Sequence, residues 1–141
     1  MRTLFADTGY WFALLLAQDP LHQRAMALSQ QVASARIVTT QMMLTELVNL
    51  TTRIGLYQRQ RGLTFIQQLE NSPQVEIIPQ TADQFQQALT FALARPDQRW
   101  SLTDCASFLT MERLGIREAL AHDRHFQQAG FVPLLREGAA G

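Results

Sequence analysis

Residues 3–18 read TLFADTGYWFALLLAQ, and their interpretation decides how the rest of the chain is parsed. Leu4, Phe5 and Ala6 make a short unbroken apolar run that ends on Asp7. A run of that length, bounded by a polar residue, fits a strand buried on both faces. The apolar stretch after Thr8 and Gly9 then fits a helix. A secretory leader is the competing reading, with Arg2 as its charged start. Asp7 interrupts the apolar segment and no small-residue cleavage site follows, so the leader pattern fails. A buried strand feeding a helix remains, and with it the expectation of a cytoplasmic protein.

The same alternation continues downstream. Asp19-Pro20 opens a helix with Pro20 in its first turn, running to about Ser34. ARIVTT (35–40) is short and rich in β-branched residues, which predicts a second strand. Residues 41–54 predict a helix closed by Gly55, and residues 57–71 a second helix that forms a hairpin with it. VEIIP (75–79) is a third strand stopped by Pro79. TADQFQQALTFALAR (81–95) is an amphipathic helix with Phe85, Leu89 and Ala92 at helical spacing, followed by a loop, PDQRW. Residues 101–114 predict a helix opened by the capping-box pattern Ser101-x-x-Asp104 and ended by Gly115. REALAHD (117–123) carries a fourth strand and FVPLL (131–135) a weak fifth, which Pro133 places at a sheet edge. Strands alternating with helices predict an α/β fold: a three-layer α/β/α sandwich around a central parallel sheet of four to five strands. One domain is expected over residues 1–135, with 136–141 as a short flexible tail.

Composition narrows the function. With 141 residues, the chain is long enough for one real core. Its 47% apolar and 17% charged content is that of a soluble globule, and no apolar run nears the ~20 residues of a membrane span. The single cysteine, Cys105, excludes an internal disulfide framework and a Cys-based zinc cluster, and reads as a small apolar filler. Zero net charge gives no bulk attraction to nucleic acid; all twelve cationic side chains are Arg, which can grip phosphate in bidentate fashion, although genome composition is the plainer reading of that usage. There is no G-x-S-x-G, no P-loop and no G-x-G-x-x-G. His122 and His125 flank Asp123 without the H-E-x-x-H spacing. His125 reads as a surface or packed histidine, with a place beside a phosphate as the other option.

Most acids fall where solvent is expected, but Asp7, Asp104 and Asp123 do not. Asp7 and Asp123 fall at the carboxyl ends of expected strands, and Asp104 at a helix start that could share their rim. Open parallel sheets bind ligands in the crevice at that rim. Glu46, early in the helix after the second strand, can reach it too. With Asn49 and Arg53 it also reads as a solvated polar stripe. Carboxylates about 4 Å apart repel by about 4 kcal/mol per pair at an effective dielectric of about 20. Such a cluster takes up protons or binds a cation, and oxygen donors without Cys point to Mg²⁺ or Mn²⁺. That chemistry suits phosphodiester hydrolysis. Thr8, Ser101 and Thr103 could support the site by orienting a carboxylate or a water; helix capping is equally open to them.

These residues resemble a known family. SLTDCASFLTMERLGIREALAHDRHFQQAGFVPL (101–134) resembles the C-terminal signature of PIN-domain proteins of the VapC toxin group. Asp7-Thr8 is similar to the group's N-terminal motif and Thr45-Glu46-Leu47 to its middle one. The resemblance spans nearly the whole chain. It implies a metal-dependent endoribonuclease acting as the toxin of a toxin–antitoxin pair, with catalytic Asp7, Glu46, Asp104 and Asp123. It implies Asp7 and Asp104 as metal ligands, with Glu46 and Asp123 serving a second ion or acting through water. It also implies an RNA substrate, a VapB-like antitoxin and a homodimer. Arg53, Arg59, Arg61, Arg99 and Arg124 are the candidates for holding RNA. A PIN nuclease of RNA processing or decay, and a non-catalytic module binding RNA or protein, stand as alternatives.

Overall fold

A computed structural model describes residues 2–136. The tail expected over 136–141 therefore lies, past Arg136, outside the described residues. Strands β1 (Thr3–Ala6), β2 (Arg36–Thr40), β3 (Val75–Ile78), β4 (Glu118–Leu120) and β5 (Val132–Pro133) form one sheet in the order β3-β2-β1-β4-β5. Every neighbouring pair is parallel. Parallel neighbours need crossovers, and helices supply them. They are α1 (Thr8–Leu15), α2 (His22–Gln31), α3 (Gln41–Ile54), α4 (Leu56–Glu70), α5 (Ala82–Ala94), α6 (Leu102–Leu114) and α7 (Arg124–Gln128).

The period-2 alternation of the central strands divides the core between two faces. Leu4 and Ala6 of β1, Ile37 of β2 and Leu120 of β4 pack with Tyr10 and Trp11 of α1, Ala25 of α2, Leu44 and Leu47 of α3 and Leu69 of α4. Phe5, Val38 and Ala119 face the other way, onto Phe108 and Met111 of α6 and Phe126 of α7. Burial on both faces explains why Leu4-Phe5-Ala6 is uninterruptedly apolar. The result is a three-layer α/β/α sandwich. Among the described residues, no helix is long and apolar enough to cross a membrane.

Three local features differ from the sequence expectations. Helix α2 starts at His22 rather than Pro20, because the Asp19 carboxylate accepts the Leu21 N–H at 2.8 Å and holds a turn ahead of it. It also ends at Gln31, short of Ser34. The fourth strand shrinks to three residues, and a short unanticipated helix, α7, follows it. Asp123 caps α7 by accepting the His125 N–H at 2.9 Å, so this acid sits beyond the strand rather than on its end. At the other edge of β4, Ala119 pairs with Pro133, placing β5 at the sheet margin as its proline requires.

Candidate functional site

Four chain segments deliver carboxylates to the carboxyl rim of the sheet. Asp7 directly follows central strand β1 and is the N-cap of α1, in an extended conformation with no side-chain capping bond. Glu46 lies in the second turn of α3, Asp104 in the first turn of α6 and Asp123 just ahead of α7. All four line one open cavity of about 820 Å³. Arg53, Arg99, Arg124 and Arg136 line the same cavity.

Local bonds hold Glu46, Asp104 and Asp123 while leaving each of them an oxygen. The Thr8 hydroxyl is buried and donates to the Met43 carbonyl at 3.0 Å, with Glu46 Oε1 at 3.2 Å as a second acceptor. Ser101 and Asp104 form a reciprocal capping box: Asp104 N–H donates to Ser101 Oγ and Ser101 N–H to Asp104 Oδ2, both at 3.0 Å. Asp104 Oδ2 also lies 2.9 Å from His125 Nδ1. Asp123 Oδ1 takes the His125 backbone N–H and lies 3.5 Å from the ring nitrogen. Among the described residues, Glu46 Oε2, Asp104 Oδ1 and Asp123 Oδ2 accept no hydrogen bond from the protein.

The electrostatics follow from this crowding. Burial above all, with the charges of Asp104, Glu46 and Asp123 adding to it and the Thr8 backbone N–H opposing it, pushes the Asp7 carboxyl up to about 7. Asp104, Asp123 and His125 each offer a ligand atom within 4.8 Å of the others. Unpaired carboxylate oxygens gathered on one rim are donors of the kind that suit a hard cation.

The structure places the other sequence candidates unevenly. Thr8 and Ser101 line the cavity, whereas Thr103 does not; its carbonyl accepts the Ser107 hydroxyl within α6. Arg53, Arg99 and Arg124 are cavity residues, while Arg59 and Arg61 lie on α4 away from it, and Arg61 donates to Gln58. Two features carried no signal in the sequence: Arg136, beyond the last strand, and the His125–Asp104 contact, which joins residues 21 positions apart.

No family model matches the chain. The 23S rRNA-specific endonuclease VapC20 of Mycobacterium tuberculosis is 28% identical over 134 residues, covering 95% of this chain and 99% of the relative. The crystal structure of M. tuberculosis VapC20, described as a sarcin-ricin loop cleaving toxin, matches with a TM-score of 0.80 at 30% identity, over 92% of this chain and 97% of that one. The chain belongs to the VapC family of PIN-domain toxins. FitAcB from Neisseria gonorrhoeae shares the fold at a TM-score of 0.60 and 17% identity. This VapC chain spans its relatives almost end to end.

Proposed function

We propose that this VapC protein is an Mg²⁺- or Mn²⁺-dependent endoribonuclease that hydrolyses RNA phosphodiester bonds in the cytoplasm as the toxin of a toxin–antitoxin pair. The observation that carries this reading is the convergence of Asp7, Glu46, Asp104 and Asp123 on one arginine-flanked cavity. Asp7 and Asp104 would hold the cation, and Glu46 and Asp123 would serve a second ion or act through water. When bound, the cation supplies Lewis-acid stabilisation of phosphoryl oxygens and a more acidic water.

The chain's own residues do the rest. Asp7 holds a proton up to about pH 7, which a cation bound there would have to displace. Thr8 steadies Glu46, and the Ser101 box fixes Asp104 at the helix start. The free oxygens of Glu46 and Asp123 accept hydrogen bonds from an attacking water. Arg53, Arg99, Arg124 and Arg136 hold RNA phosphates through charge-assisted, bidentate contacts.

A homodimer and a VapB-like antitoxin that occludes the cavity complete the proposal. The relatives' activity makes 23S rRNA and its sarcin-ricin loop the first substrates to try. Calorimetric titration of Mg²⁺ and Mn²⁺ tests the site directly. Saturable binding that Asp7→Asn abolishes supports it, and absence of binding turns the reading toward a non-catalytic module. Growth arrest on expression, relieved by an antitoxin encoded beside it, separates the toxin role from RNA processing.

A further inference from the structure

The capping box ties Asp104 to its own helix through a single backbone donor. A second donor reaches the same oxygen from another element. His125 Nδ1 lies 2.9 Å from Asp104 Oδ2, which already accepts the Ser101 N–H at 3.0 Å. The contact is shielded: the side chains are 23% and 17% exposed. The ring is also held from behind. The His125 backbone N–H is bonded to Asp123 Oδ1, and the next residue, Phe126, is fully buried against Phe5 and Phe108. A carboxylate facing an imidazole nitrogen is an acceptor only, so Nδ1 carries the hydrogen whether the ring is neutral or charged.

We propose that His125 is a positioning residue that donates Nδ1–H to Asp104 Oδ2, commits that oxygen to the protein and leaves Oδ1 alone to face the cation. The inference rests on the metal-nuclease reading above. Two donors from different elements define the carboxylate plane, which one capping bond cannot do. Direct ligation by the imidazole is the competing role, because Asp104, Asp123 and His125 all offer atoms within 4.8 Å of one another. The Nδ1 hydrogen already engaged with Asp104 favours positioning.

The test is Mn²⁺ titration of the metal-free full chain by electron paramagnetic resonance, for wild type, His125→Asn, His125→Gln and His125→Ala, with folding followed by circular dichroism. An Asn amide places its N–H near the position of Nδ1, and a Gln amide near that of Nε2. Loss of a hydrogen bond behind a ligand weakens metal binding by about 10–100-fold. The Ala and Gln variants are expected to show that loss, the Asn variant to stay close to wild type, and wild type to show no directly coordinated nitrogen in its hyperfine spectrum. Raised Mn²⁺ is expected to restore cleavage by the Ala variant. Should the Ala variant misfold, the Asn–Gln comparison decides alone. Tight wild-type binding that Ala leaves unchanged, an Asn variant as weak as Ala, or a strong nitrogen coupling overturns the positioning role. A wild type that binds no Mn²⁺ overturns the metal reading and this inference together.

Discussion

Asp7 shows what the site does to a single residue. Its carboxyl titrates at about 7 instead of 3.8, first through burial and then through its acidic neighbours. Between those values the fold keeps a proton that the unfolded chain has released. Ionising Asp7 therefore lowers stability as pH rises: the penalty is absent below about pH 4, grows through about pH 7 and is full above it. In EDTA, Asp7→Asn is expected to be more stable than wild type by about 1–4 kcal/mol at pH 8 and equal to it at pH 4, measured by urea melts. A variant less stable at pH 8 would contradict the assigned shift. At this scale the sequence was informative about position: an acid closing an apolar strand has few structural reasons to be there. It was silent on partnership. Nothing local to Asp104 announces His125, because the two meet only after β4 and α7 are in place.

Helices carry the acids, so their ends and packing decide the site's precision. Removing the Ser101 hydroxyl leaves an Asp104 N–H unsatisfied at the start of α6. Ser101→Ala is expected to lower stability by about 1 kcal/mol and to reduce cleavage through a less well-held Asp104; thermal melts and initial rates check both. The α3–α4 hairpin depends on a close approach at Gly62. A Cβ there would lie 2.6 Å from Thr51 Oγ1, which is tied to the Leu47 and Val48 carbonyls. Gly62→Ala is expected to cost about 1–3 kcal/mol in a denaturant melt despite alanine's better helix propensity. Element boundaries were legible where capping and breaking residues coincide, as at α3, which spans the expected 41–54 before Gly55. They were not legible at α2, where an Asp19 side-chain turn displaces the start, or at α7, whose five residues are too few to show a period.

The whole molecule has no net charge, yet it sets arginines around its acidic cavity. RNA affinity should therefore be local and salt-sensitive. Arg99→Gln combined with Arg124→Gln is expected to weaken RNA binding in EDTA. The log–log salt dependence should become shallower by about 1.4, since each single-strand phosphate that an arginine neutralises adds about 0.7 to the slope. Anisotropy titrations across salt concentrations measure it. The parallel α/β/α plan could be read from the alternation of strands and helices, but the order β3-β2-β1-β4-β5 could not. That order makes β1 and β4 neighbours and brings Asp7 beside the Asp123 segment from the far end of the chain. Adjacency of this kind is a property of the assembled sheet, which is why the sequence could point to a shared rim for the acids but not to the strand order that brings them together.

The central claim is tested most directly by cleavage of 23S rRNA by purified wild type and Asp104→Asn, each with Mg²⁺, with Mn²⁺ and with EDTA. Asn caps a helix about as well as Asp, so the variant keeps α6 and removes the charge together with one of the two carboxylate oxygens. The account predicts metal-dependent cleavage by wild type and a loss of about 100-fold or more in the variant, on the scale of other catalytic groups when removed. Equal activity in the two proteins would contradict it.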